Sequence, residues 1–108
     1  MPRWLPGVLE RLHELAAADK VRFTVKSLRE IAALELALDA QDVIDIIASL
    51  TPSDCVGRLV SEHTREWLYV FKPEAAGTLL YLKVALRSDC IVVSCHRDME
   101  DGHDNEDA

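Results

Sequence analysis

The sequence predicts an α+β domain, with a largely antiparallel sheet and N-terminal helices packed on one of its faces. Three observations predict it. Up to Pro52 the apolar residues recur mainly at helical spacing, and beyond it they alternate. The later segments are joined by short turns, which antiparallel neighbours allow and parallel ones do not. The length, 108 residues, suits one domain with a modest core.

The elements follow in order. Leu5, Val8, Leu9, Leu12, Leu15 and Ala16 fall on one face of a first helix, and Pro6 is tolerated in its first turn. "VRFTV" (21–25) is alternating and β-branched, which predicts a strand. Ser27 stands three residues before Glu30, a capping-box spacing that predicts a second helix running to about Ala33–Leu36. Asp39 is placed to cap a third, in which Val43, Ile46, Ile47 and Leu50 repeat at i, i+3, i+4, i+7 until Pro52 stops it.

Beyond Pro52, "DCVGRLV" (54–60) reads as a short strand with Gly57 at a bulge. "EWLYVFK" (66–72) is an aromatic, β-branched strand ending at Pro73. "TLLYLKVALR" (78–87) and "CIVVSCH" (90–96) form a hairpin about Ser88–Asp89.

Composition excludes several classes. Hydrophobic residues at 49% and charged residues at 29% are those of a globular domain rather than a disordered chain. No apolar run is long enough to span a bilayer, and the N-terminal stretch lacks a signal-peptide layout, so a cytoplasmic protein is expected. Cys55, Cys90 and Cys95 are odd in number and form no CxxC pair, which favours small buried hydrophobes over a disulfide frame or zinc site.

The net charge of −7 is unevenly spread. Residues 98–108, "DMEDGHDNEDA", hold six of the 19 acids and no Lys or Arg, leaving 13 acids against 12 Lys and Arg in residues 1–97. The expectation is a folded domain over 1–97 and a disordered acidic tail over 98–108, whose charge would slow non-specific association with a polyanion by repulsion. The body is therefore near neutral and can carry a local basic surface.

The hairpin carries that surface. Leu80, Leu82, Val84 and Leu86 form its core side, joined across the turn by Ile91, Val93 and Cys95. Tyr81, Lys83 and Arg87 fall on the other side, where cross-strand neighbours add Ser94 and His96. Any one of these residues suits a solvated sheet face. Together they place cations, an aromatic ring and an imidazole side by side, with Lys72 and Arg58 available to extend the surface. Cations hold phosphate, tyrosine stacks on unpaired bases, and imidazole exchanges protons near neutral pH, so the set fits a polyanion such as RNA.

Other constellations point nowhere. His13 and His63 have no partners at metal-ligand spacing, His103 lies in the tail, and Gly57 and Gly77 belong to no phosphate-binding loop. Ser94 has no acid–base pair nearby in sequence, and Trp4 and Trp67 read as packing anchors. No metal or cofactor is called for.

In order, "SLTPSD" (49–54), "SEHT" (61–64), "WLYVFKP" (67–73), "GTLLYLKV" (77–84) and "IVVSCH" (91–96) resemble the C-terminal half of the MqsR family, motility quorum-sensing regulators that are toxins of bacterial toxin–antitoxin pairs. "VRFTVKSL" and "DAQDVIDIIASL" match its layout, so the resemblance covers about residues 8–97. It implies a compact RelE-like fold and metal-independent cleavage of mRNA. It also implies a cognate antitoxin, through which a toxin–antitoxin complex can sit on operator DNA. Tyr81, Lys83 and His96 take the positions of the family's functional tyrosine, lysine and terminal basic residue. The family's further lysine falls near Gly57, with Arg58 the nearest substitute, and its glutamine after the strand tryptophan is Leu68.

The leading expectation is thus a sequence-selective endoribonuclease using His96, Tyr81 and Lys83, with Arg58, Arg87 and Lys72 on phosphate. Two others stay open: a catalytically weak RNA- or antitoxin-binding module acting in autoregulation, and an unrelated α+β ligand-binding domain.

Overall fold

The computed structural model describes residues 1–98. They form helices α1 (Leu5–Ala17), α2 (Val25–Ala33) and α3 (Ala40–Ala48), and strands β1 (Val21–Phe23), β2 (Cys55–Val60), β3 (Trp67–Phe71), β4 (Glu74–Ala75), β5 (Thr78–Leu86) and β6 (Cys90–Arg97). The sheet runs β1-β6-β5-β3-β2, with β4 paired to the start of β5. Every pairing is antiparallel except β1 with β6. This is the mixed, mostly antiparallel α+β domain that the change of period at Pro52 predicts.

The core lies between one sheet face and the helices. All six apolar residues expected on the first helix are buried, together with Val43 and Ile47 of α3 and Phe71, Leu80, Leu82 and Val84 of the sheet. Burying a side chain of leucine or phenylalanine size contributes about 1.5–3 kcal/mol each, so this cluster is the main source of stability. Cys90 and Cys95 belong to it as free thiols, and burial pushes both up to about 12.

Asp39 caps α3 as expected, its carboxylate accepting from the Asp42 N–H at 3.0 Å while Asp42 returns the bond to the Asp39 N–H at 2.9 Å. The start of α2 differs from expectation. β1 stops at Phe23, and Thr24 is the N-cap, its hydroxyl oxygen accepting from the Ser27 N–H at 3.0 Å. Ser27 is fully buried inside the first turn and donates back to the Thr24 carbonyl at 2.9 Å. Glu30 is then released from capping for another task.

That task is at the sheet edge. β1 covers β6 only over Cys90–Val92. Beyond that point α2 takes its place: Glu30 Oε1 accepts from the Cys95 N–H at 2.9 Å, and Arg97 Nη2 donates to the Leu34 carbonyl at 3.1 Å. Thr24 Oγ1 donates to the Val92 carbonyl at 3.3 Å. A helix thus satisfies backbone groups that an open edge would leave to water or to another chain. Two stripes of α2 divide the work: Ser27, Ile31 and Leu34 face the core, while Lys26, Glu30 and Ala33 follow the β6 edge.

The hairpin register corrects one assignment. Lys83 pairs with Ser94 but Val84 with Val92, so Val93 is an extra residue and the alternation of β6 reverses there. Cys90 and Val92 therefore join Cys95 on the core side, and Ile91 belongs to the other face, because Ala85 is its partner. Gly57 occupies the bulge expected in β2, at a φ of 152°. The turn between β4 and β5 was not expected: Ala76 and Gly77 both take positive φ, 53° and 75°, as a two-residue type I′ loop requires.

Asp98, placed in the tail by sequence, is bonded to the sheet. The Asp98 N–H donates to the Leu79 carbonyl at 2.9 Å, and its carboxylate pairs with Lys72 Nζ at 3.1 Å. The rest of the acidic tail, with the expectations of disorder and of repulsion placed on it, lies outside the described residues.

Candidate functional site

The sheet face turned away from α1 and α3 holds the polar residues. The register sets them in rows across the strands. Tyr81 pairs with His96, and the next row runs Gly57, Val70, Lys83, Ser94. The row after that, Leu59, Leu68, Ala85 and Ile91, is apolar. Directly opposed residues on one face lie about 4.5–5.5 Å apart at Cβ and diagonal ones about 7–8 Å, so Tyr81, His96, Lys83 and Ser94 form one compact square.

Within it, the Tyr81 and His96 rings are stacked, with centroids 5.0 Å apart and planes 8° from parallel. His96 Nδ1 lies 2.9 Å from the Arg97 carbonyl oxygen. A carbonyl only accepts, so Nδ1 is the donor and Nε2 of the neutral ring is left as the proton acceptor. The backbone therefore selects the tautomer a general base needs.

Lys83 and Ser94 are not on a solvated surface, as expected from alternation, but are 8% and 3% exposed. β5 is the central strand, so Lys83 is flanked by Val70 on one side and Ser94 on the other. Ser94 Oγ accepts from Lys26 Nζ at 2.8 Å, and the same ammonium reaches Glu30 Oε2 at 2.8 Å. Lys26 is thus a second cation beside Lys83. Sequence reasoning missed it, because its only local signal is its spacing to Glu30 along α2, which reads as an ordinary surface ion pair.

Lys72 follows β3 at the Tyr81 end of the face and is paired with Asp98. Two other expected phosphate contacts are elsewhere. Arg87 lies past the end of β5, four residues from Lys83 and so roughly 13 Å along the strand. Glu66 holds it there through Nε at 3.1 Å and Nη2 at 2.6 Å, and the Arg87 hydrogen bond keeps the Glu66 carboxyl below its usual range. Arg58 pairs with Tyr69, whose partner on β5 is Val84, so it sits on the helix side of the sheet. Its guanidinium lies 3.8 Å from the Trp67 ring centroid and 4.9 Å from that of Trp4. The two tryptophans are packing anchors for an arginine, and Arg58 does not join the square.

A direct consequence concerns stability. Arg58→Ala removes a cation held between two indoles, an interaction of about 0.5–2 kcal/mol, and should lower the denaturation midpoint while leaving any activity of the folded chain unchanged. Chemical denaturation followed by Trp fluorescence checks the first part. An activity loss larger than the loss of folded protein would return Arg58 to the site.

The square lies within a matched region. Residues 7–97 match the family model described as "Motility quorum-sensing regulator, toxin of MqsA". The chain belongs to the MqsR toxin family. It is accordingly a toxin of a toxin–antitoxin system. Comparison with curated proteins finds no match. Among the described residues no helix is long and apolar enough to cross a membrane.

The two departures from the MqsR pattern now have places. Gly57 stands at the β2 end of the Lys83 row, two strands from Lys83, where a side chain would project onto the site's face. Leu68 stands in the apolar row, beside Ala85. At the other end of the Lys83 row, Ser94 is bonded to Lys26.

Proposed function

We propose that this MqsR-family toxin is a metal-independent, sequence-selective endoribonuclease that cleaves mRNA and so inhibits translation. The observation that carries the reading is the stacked Tyr81–His96 pair, with Nδ1 of His96 committed to a carbonyl and Lys83 on the adjoining row. RNA brings its own nucleophile, so the protein needs only a base, positive charge and a proton for the leaving group.

His96 Nε2 takes the proton of a ribose 2′-hydroxyl, whose oxygen attacks the adjacent phosphorus. The Lys83 ammonium neutralises charge on the phosphoryl oxygens, with Lys26 beyond Ser94 adding to the field. The Tyr81 hydroxyl holds a phosphoryl oxygen in line. The bond from phosphorus to the 5′-oxygen breaks, and that oxygen takes a proton from Lys83. The products are a 2′,3′-cyclic phosphate and a 5′-hydroxyl; the proton taken by His96 returns to solvent, and Lys83 regains one from it.

A cognate antitoxin is the partner this reading needs, and operator DNA is reached through it. The family membership supports the antitoxin. Gly57 and Leu68 favour a second reading, in which the same face binds RNA or antitoxin without cutting. Incubating the purified full-length protein with a defined mRNA in EDTA separates the two. Cuts at a recurring short sequence support the nuclease, and salt-dependent binding without cuts supports the second reading.

A further inference from the structure

Beside the square is a cleft of about 340 Å³ between the end of α2 and the end of β6, lined by Glu30, Ala33, Leu34, His96 and Arg97. We propose that it is a subsite for one unpaired nucleobase, of the amino-bearing kind. The inference takes from the proposed function only that the ligand is RNA.

Three observations lead there. The cleft has the size of a small-ligand pocket, near the lower end of the usual range of about 300–1,000 Å³. One face of the His96 ring is covered by Tyr81, so what His96 gives the cleft is its other face and edge. A base entering there continues the Tyr81–His96 stack by one more ring, the commonest way a protein holds an unpaired base. Ala33, exposed on the helix, gives the cleft an apolar side against which a flat ring can lie.

Glu30 sets the preference. Its Oε1 accepts from the Cys95 N–H and its Oε2 from Lys26, which fix the carboxylate in place, and each oxygen retains a second lone pair. A fixed carboxylate accepts the exocyclic amino N–H of cytosine, adenine or guanine. Uracil offers a single N3–H between two carbonyl oxygens, which a carboxylate repels. Arg97 closes the end of the cleft through its bond to the Leu34 carbonyl. The same helix that seals the β6 edge thus supplies the reader, and Glu30 links the base subsite to Lys26 on the phosphate side.

The test titrates the full-length protein with each of the four ribonucleoside 3′-monophosphates, and with inorganic phosphate alone, following backbone amides by NMR. The cytidine, adenosine and guanosine nucleotides should shift Ala33, Leu34 and Arg97 saturably, with the uridine nucleotide about tenfold weaker. Inorganic phosphate should leave Ala33 and Leu34 unmoved. Ala33→Phe, a change on the exposed side of the helix that fills the cleft, should weaken the nucleotides about tenfold, the scale of one lost base stack. Nucleotides that shift only what inorganic phosphate shifts would overturn the subsite, as would unchanged affinity in the Ala33→Phe variant. Cleft shifts in a protein that cuts no RNA would keep the subsite and remove the nuclease. RNA cleavage without cleft shifts would do the reverse.

Discussion

Replacing His96 by alanine should lower RNA cleavage by about 10²–10⁴-fold, the usual contribution of a positioned general base. The size of the effect follows from how firmly the ring is held. Its Nδ1 is committed to the Arg97 carbonyl and one ring face lies on Tyr81, so Nε2 is presented at a fixed point rather than sampled by a mobile side chain. Losing the stack also has a structural cost of about 0.5–1.5 kcal/mol, which must be separated from the chemistry. His96→Phe makes that separation, since it keeps an aromatic ring against Tyr81 and carries no proton. It should be as inactive as the alanine variant but closer to wild type in thermal midpoint. Added imidazole should restore part of the His96→Ala rate, because the vacated space lies over the reacting hydroxyl. His96→Lys, which keeps a titratable nitrogen at this point, should retain more activity than alanine. Full activity in His96→Phe would remove the imidazole from the mechanism.

Lys83→Met should cost about 10²–10³-fold in cleavage, the range for removing one preorganised donor to a developing anion. Lys83 stands on the central strand with 8% of its surface exposed, so its charge acts with little screening by water. Methionine keeps much of the aliphatic volume between Val70 and Ser94, and the fold should survive. The salt dependence of RNA binding should fall by about one phosphate contact relative to wild type. Lys26 is tested in the same way, and its loss should be smaller, because Glu30 already shares its charge. A Lys83→Met protein that folds, binds with the wild-type salt slope and cuts at the wild-type rate would place the phosphate elsewhere.

Much of this was legible in the chain. The six apolar residues of α1, the Asp39 cap, the Gly57 bulge and the hairpin about Ser88–Asp89 are local signals, and each survives in the fold. So does the juxtaposition of Tyr81 with His96 and of Lys83 with Ser94, although it is the extra residue at Val93 that brings it about, since the turn itself pairs Leu86 with Cys90. What failed was what depends on long-range pairing. The extra residue at Val93 reverses one strand's alternation without any glycine to announce it. Sequence position alone groups Arg58 with the site, but pairing β2 to β3 puts it between two tryptophans on the opposite face. Alternation alone assigns Arg87 and says nothing of Glu66, 21 residues earlier, directly ahead of the neighbouring strand β3. Lys26 has no sequence signal for the site, because only the docking of α2 on the β6 edge brings it to Ser94. Thr24 and Ser27 are both good cap residues, and the choice fell to the one that also bonds β6.

The central claim is that this face lets RNA cut itself with its own 2′-hydroxyl, and the ends of the cleaved RNA test it most directly. Full-length protein acting on a defined RNA in EDTA should leave 2′,3′-cyclic phosphate and 5′-hydroxyl ends, and no cut where the nucleotide before the break is 2′-deoxy. Products ending in a 3′-hydroxyl and a 5′-phosphate, or cutting of the deoxy-substituted strand, would mean that water rather than the RNA is the nucleophile, and would contradict the roles given to His96 and Lys83.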